Sequence, residues 1–175
     1  MGLEHIEPGR SVPDDVNVVI EISAHSDPVK YEVDKKSGMV MVDRFVATSM
    51  HYPCDYGFIP QTLSEDGDPV DVLVIAPYSL NPGVIMRGRP VGMLKMTDES
   101  GPDAKILVVP VDKLSSRFKH IQKPEDLGEE VLASIMHFFE HYKDLEPGKW
   151  VKLDGWMDAA AAKKEILASV ERYKK

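Results

Sequence analysis

Apolar and polar residues alternate with a period of two through much of the chain and switch to a helical period near its end. Over 16–22, Val16, Val18, Ile20 and Ile22 share one face while Asn17, Val19 and Glu21 share the other, which predicts a strand. The stretch 29–34 alternates more cleanly, with Val29, Tyr31 and Val33 inward and Lys30, Glu32 and Asp34 outward, so Lys30 and Glu32 point the same way. Further strands are predicted at 39–45, 70–76, 85–96 and 105–111, divided by turns such as "SLNPG" and "ESGPD". "HYPCDYGFIP", 51–60, reads as a loop stiffened by Pro53, Gly57 and Pro60.

From 124 to 144 the apolar residues Leu127, Val131, Ile135, Phe138 and Tyr142 recur at helical spacing, with Pro124 in the first turn and Pro147 and Gly148 beyond the end. A second helix is predicted over about 157–173, where Ile166, Val170 and Tyr173 form a stripe and the lysines at the end complement the helix dipole. Short strands followed by two helices predict a mainly β protein with flanking helices, an α+β barrel or sandwich. There is no internal repeat and no dividing linker, so the 175 residues are expected to form one domain.

Composition narrows the partners. Twenty-nine Asp and Glu against 21 Lys and Arg leave a net charge of −8, which opposes binding to nucleic acid or to an anionic membrane. The N-terminal "MGLEHIEPGR" lacks the apolar core of a signal peptide and no apolar run is long enough to span a bilayer, so a cytoplasmic location is expected. The single cysteine, Cys54, suits a reducing compartment and reads as a small buried hydrophobe.

The segment "SEDGDPVDVLVIAP", 64–77, crowds Asp66, Asp68 and Asp71 at the mouth of an apolar strand. A solvated turn is one reading. Against it, Pro69 stiffens the turn after Asp68, and Asp71 opens a strand where a carboxylate is poorly solvated. Two carboxylates ~5 Å apart repel by roughly 3 kcal/mol at an effective dielectric of ~20, so such a cluster calls for a proton or a cation. Oxygen donors alone select a hard divalent ion, and an EF-hand is excluded because Asp71 and Pro77 stand where its Gly and Glu belong. Asp98 and Asp103 bracket a second acidic turn, and Lys30, Arg44, Lys105 and the pair Tyr142 and Lys143 are candidate donors to a highly charged anion. Carboxylates for metals beside Lys, Arg and Tyr for phosphate oxygens are what metal-assisted phosphoryl transfer to water requires.

"DGDPVDV" resembles the signature of the soluble family I inorganic pyrophosphatases, and the likeness extends through "KYEVDKKSG", "DRFVATSMHYPCDYGFIP", "GMLKMTDESGPDAKILVVP" and "FFEHYKDLEPGKWVKLDGW", with the length of the short bacterial form. The resemblance implies a closed five-stranded barrel of OB type with two main helices packed outside, one catalytic domain over 1–175, and hydrolysis of pyrophosphate by a hydroxide bridging Mg²⁺ ions, without a phosphoenzyme. Several Mg²⁺ ions per site are implied, held by Asp66, Asp71 and Asp103 with help from Asp98 and Glu21. Asp68 is implied as acceptor of the proton from the attacking water, Lys30, Arg44, Tyr56, Lys105, Tyr142 and Lys143 as phosphate ligands, and Glu32 and Tyr52 as supports. Two rivals are a single-stranded nucleic-acid binder, which needs a basic groove, and a nucleotide phosphohydrolase, which needs a base pocket.

His137 and His141 lie four apart on the first helix without a HExxH context, so helix-surface residues are expected rather than metal ligands. The resemblance places them at a subunit contact of a homohexamer, which their protonation then weakens. Sedimentation between about pH 8 and about pH 5 checks this: dissociation is expected, and an unchanged assembly removes the idea.

Overall fold

The alternating segments hydrogen-bond into a ring. The computed structural model describes residues 3–175; Met1 and Gly2, the start of the N-terminal stretch read above, lie outside the described residues. In chain order the strands are β1 (Gly9–Ser11), β2 (Asp15–Ile22), β3 (Val29–Val33), β4 (Val40–Phe45), β5 (Asp55–Phe58), β6 (Asp71–Val74), β7 (Ile85–Asp98), β8 (Gly101–Pro102), β9 (Lys105–Pro110) and β10 (Val151–Asp158), with helices α1 (Glu129–His141) and α2 (Ala159–Tyr173). Strands β2, β5, β6, β9 and β7 pair in that order and β7 returns to β2, which closes the five-stranded ring expected from the sequence. Every rung of the ring is antiparallel except β6 with β9. Strand β1 extends the ring beside β2, and β8 and β10 extend it beside β7.

Ring strands bury both faces, which is why 106–109 reads as an unbroken apolar run rather than an alternating one. Leu73, Leu94, Met96 and Leu107 pack with Ile135, Phe138 and Phe139 of α1, while Val72, Val74, Ile106 and Val108 pack with Ala162 and Ile166 of α2. The pair β3 and β4 forms a separate two-stranded sheet that shares no ladder with the ring among the described residues.

Three boundaries differ from the sequence reading. The segment 51–60 is not all loop, because Asp55–Phe58 is a buried ring strand held between Pro53 and Pro60. The first helix does not run unbroken from 124: Pro124–Leu127 is a 3-10 turn, Gly128 takes φ 90°, and the α-helix starts at Glu129 and ends at His141. Residues 151–158 form a strand against β7, bulged at Gly155, and α2 begins only after Asp158, whose carboxylate accepts from Ala161 N–H at 2.9 Å as an N-cap. The Gly155 bulge breaks the alternation, so no strand pattern was visible there.

No helix of the described residues is long and apolar enough to cross a membrane. Cys54 is buried as expected, and burial pushes its thiol up to about 12.

Gly57 is where β5 meets β2 most closely, since a Cβ there would stand 2.0 Å from the Val19 carbonyl oxygen. Gly57→Ala is therefore expected to lower stability by about 2–3 kcal/mol, read from denaturant midpoints. An unchanged midpoint would show that the two strands yield without cost.

Candidate active site

One rung of the ring assembles the centre of the site. In the parallel ladder Asp71 of β6 is level with Lys105 of β9, so two first residues with opposite charges meet side by side. Asp103 lies two residues before Lys105 and reaches the same ammonium. Lys105 Nζ donates to Asp71 at 2.8 Å and to both oxygens of Asp103 at 2.9 and 3.0 Å, and it lies 5.4 and 5.6 Å from the ring centres of Tyr56 and Phe139. The ammonium side chain is 3% exposed, and although burial favours its neutral form, Asp71 and Asp103 outweigh that and hold it well above its usual range.

Around this pair two adjoining hollows, of about 170 and about 270 Å³, share Lys30, Tyr56, Asp66, Asp68 and Asp71 in their walls. Glu21 and Glu32 line the first; Arg44, Tyr52, Asp98, Asp103, Lys105, Tyr142 and Lys143 line the second. All fourteen residues that sequence reasoning placed in the site thus border one continuous depression. His137 and His141 do not; they sit on α1 with ring centres 4.9 Å apart, and His141 Nδ1 is 2.9 Å from Asp144.

Glu21 reaches the depression from the face of β2 that alternation gives it beside Val19: Val19 packs with Val33 and Phe58, and these two line the depression together with Glu21. Glu21 is buried and accepts from Val33 N–H at 2.8 Å, yet burial outweighs that bond and pushes its carboxyl up to about 8. Burial likewise raises Asp103, with Lys105 opposing and Asp71 adding to the rise, and it raises Asp66 against a bond from Asp68 N–H. At Asp98 burial loses: Lys143 Nζ at 2.7 Å and Ser100 N–H at 2.8 Å hold its carboxyl low.

The cations are paired throughout. Lys30 donates to Glu32 at 2.5 Å and lies 3.5 Å from Asp43, while Lys143 also reaches Glu99 at 3.3 Å. Asp68 differs: its side chain is 77% exposed, with Lys35 at 3.9 Å.

Residues 18–174 match the family model described as inorganic pyrophosphatase. The chain belongs to the inorganic pyrophosphatase family. It is 60% identical over 175 residues to an inorganic pyrophosphatase of Yersinia pestis, with 100% of each chain covered. A solved inorganic pyrophosphatase from Coxiella burnetii is 53% identical with a TM-score of 0.93 over 96% of this chain and 99% of that one. The crystal structure of the Thermus thermophilus protein gives a TM-score of 0.94 at 45% identity, with 100% of each chain covered. End-to-end matches to bacterial relatives identify the short bacterial type, and the chain is accordingly an enzyme.

In this pyrophosphatase the depression also takes in residues that the sequence reading passed over, namely Lys35, Glu99, Ser100 and Lys149. Glu99 sits in "TDES" next to Asp98 and Lys149 five residues past Asp144, so each had only the signal of a surface charge. Among the described residues no group of three or more His, Cys, Asp or Glu side chains forms a ready-made metal cage. The donor set still fits a hard cation: it is all carboxylate, and Asp66, Asp103 and Glu21 are held toward protonation by burial and mutual repulsion, which a bound cation relieves.

With its carboxyl raised to about 8, Glu21 holds a proton in the folded metal-free chain that it loses on unfolding at neutral pH. The folded form therefore binds the proton more tightly, and this contribution to stability is full below the ordinary carboxylate range and fades as pH rises toward about 8. In EDTA, the stability of Glu21→Gln relative to the unsubstituted chain is expected to increase from about pH 5 to about pH 8. A pH-independent difference would mean that Glu21 is ionised throughout.

Proposed function

We propose that this pyrophosphatase hydrolyses inorganic pyrophosphate to two phosphates by direct, in-line attack of water, with no phosphoenzyme and with several Mg²⁺ ions in the site. The observation that carries the reading is the interleaving of carboxylates and cations around one depression, which suits a substrate carrying both phosphates and metal ions. Bound Mg²⁺ supplies a water of lowered pKa and neutralises phosphate charge. Asp66, Asp71 and Asp103 would hold the tighter ions, and Asp98 and Glu21 those arriving with substrate.

Asp68 is the proton acceptor in this reading because its carboxylate stands in solvent and is not among those that would hold the ions. Lys30, Arg44, Tyr56, Lys105, Tyr142 and Lys143 bind the phosphate oxygens and stabilise the charge on the leaving phosphate. Glu32 orients Lys30 through their hydrogen bond. Tyr52 packs against Tyr56 and Phe138, with ring centres 5.5 and 4.6 Å away, and so holds the aromatic wall.

The 175 residues act as one catalytic domain in the cytoplasm, assembled as a homohexamer with His137 and His141 at a subunit contact. The buried lone thiol and the net charge of −8 agree with a reducing compartment and with neither nucleic acid nor membrane as partner.

Phosphate release from pyrophosphate, ATP and tripolyphosphate, each with Mg²⁺ and with excess EDTA, tests the reading. Fast, EDTA-sensitive release from pyrophosphate alone is expected, and no release in any Mg²⁺ condition would return a binding module to first place. Asp68→Asn is expected to lower kcat by about 100- to 10,000-fold with metal binding largely retained; near-normal turnover would move the base elsewhere.

A further inference from the structure

Arg44 presents a puzzle. Its side chain borders the depression from β4, yet its Nε is buried and has no hydrogen-bond partner. A buried guanidinium N–H without an acceptor persists only where something else holds the group in place. The counter-charge is Glu146, whose Oε1 lies 3.7 Å from Arg44 Nε and whose other oxygen lies 3.0 Å from Lys149 Nζ. Glu146 is 14% exposed and is absent from the lining of the depression, so it stands behind two cations that do line it.

The position of Glu146 in the chain gives this contact leverage. It belongs to the turn after α1, where its N–H donates to the carbonyl of Lys143 at 2.9 Å. Arg44 belongs to the β3–β4 hairpin, which shares no ladder with the ring among the described residues and is tied to it by side chains, as in the bond from Val33 N–H to Glu21 and the packing of Val33 against Val19 and Phe58. Within the hairpin Arg44 is level with Lys30, so whatever holds one strand end holds both cations.

We propose that Glu146 is a positioning residue that aims the Arg44 guanidinium into the depression and, through the hairpin, sets Lys30 beside it. The inference rests on the reading above that Arg44 binds a phosphate of the substrate. Arg44 already meets the phosphate when substrate binds, so its misplacement costs mainly ground-state binding and raises KM more than it lowers kcat.

The test is pyrophosphate hydrolysis by Glu146→Gln and Glu146→Asp, each made in the unsubstituted chain and in Arg44→Ala. Glu146→Gln is expected to raise KM on the order of tenfold with kcat within about twofold, and Glu146→Asp to fall between, since it keeps the charge. In the Arg44→Ala background Glu146→Gln is expected to add less than about twofold, because the group it positions is gone. An unchanged KM, or an equal rise in both backgrounds, overturns the role of Glu146 while leaving the enzyme's function standing. Absence of turnover in the unsubstituted chain overturns both. Should Glu146→Gln not fold, the charge-conserving Glu146→Asp carries the same comparison across the two backgrounds.

Discussion

A single buried ammonium shared by two carboxylates sets the terms for the rest of this molecule. Lys105 enters the ring level with Asp71, and Asp103 closes on it from the preceding turn. Stranding one member of such a buried set typically costs about 3–5 kcal/mol, so the three must arrive together. The parallel pairing of β6 with β9 makes that certain, because it levels the first residue of one strand with the first residue of the other. The antiparallel rungs on either side then bring Tyr56 to the face that Leu73 and Asp71 share.

The same competition between desolvation and pairing, decided residue by residue, sorts the remaining charges. Asp98 has Lys143 and an N–H of its own turn, and stays ionised despite its burial. Glu21 has the N–H of Val33 and a weaker pull from Lys30, and burial prevails. The outcome is a site whose cations are already neutralised by their neighbours, while several carboxylates are short of positive charge. A substrate that brings both phosphate and metal ions satisfies the two needs at once, which explains how an acidic chain binds an anion.

Position in the fold separates the rigid part of the site from its adjustable part. Asp71, Tyr56 and Lys105 stand on ring strands whose two faces are packed against α1 and α2. Lys30, Glu32 and Arg44 stand on a hairpin outside the ring, fastened by side-chain contacts. Asp71 and Asp103 thus sit on or beside the ring, whereas Lys30 and Arg44 are carried by the hairpin outside it.

Much of this was legible in the chain alone. Period-two alternation marks β2 and β3, the helical stripe marks α1 and α2, and the crowding of Asp66, Asp68 and Asp71 calls for a proton or a cation because like charges repel. Those features are local, and local spacing is what a sequence records. The ring strand Asp55–Phe58 is too short and too buried to alternate, and the bulge at Gly155 hides β10. Glu146 lies about a hundred residues from Arg44 in the chain and gave no sign of their meeting. Residue type and spacing determined which chemistry the chain carries; ring closure, strand register and long-range contact decided which groups face one another, because each depends on parts of the chain that no local pattern relates.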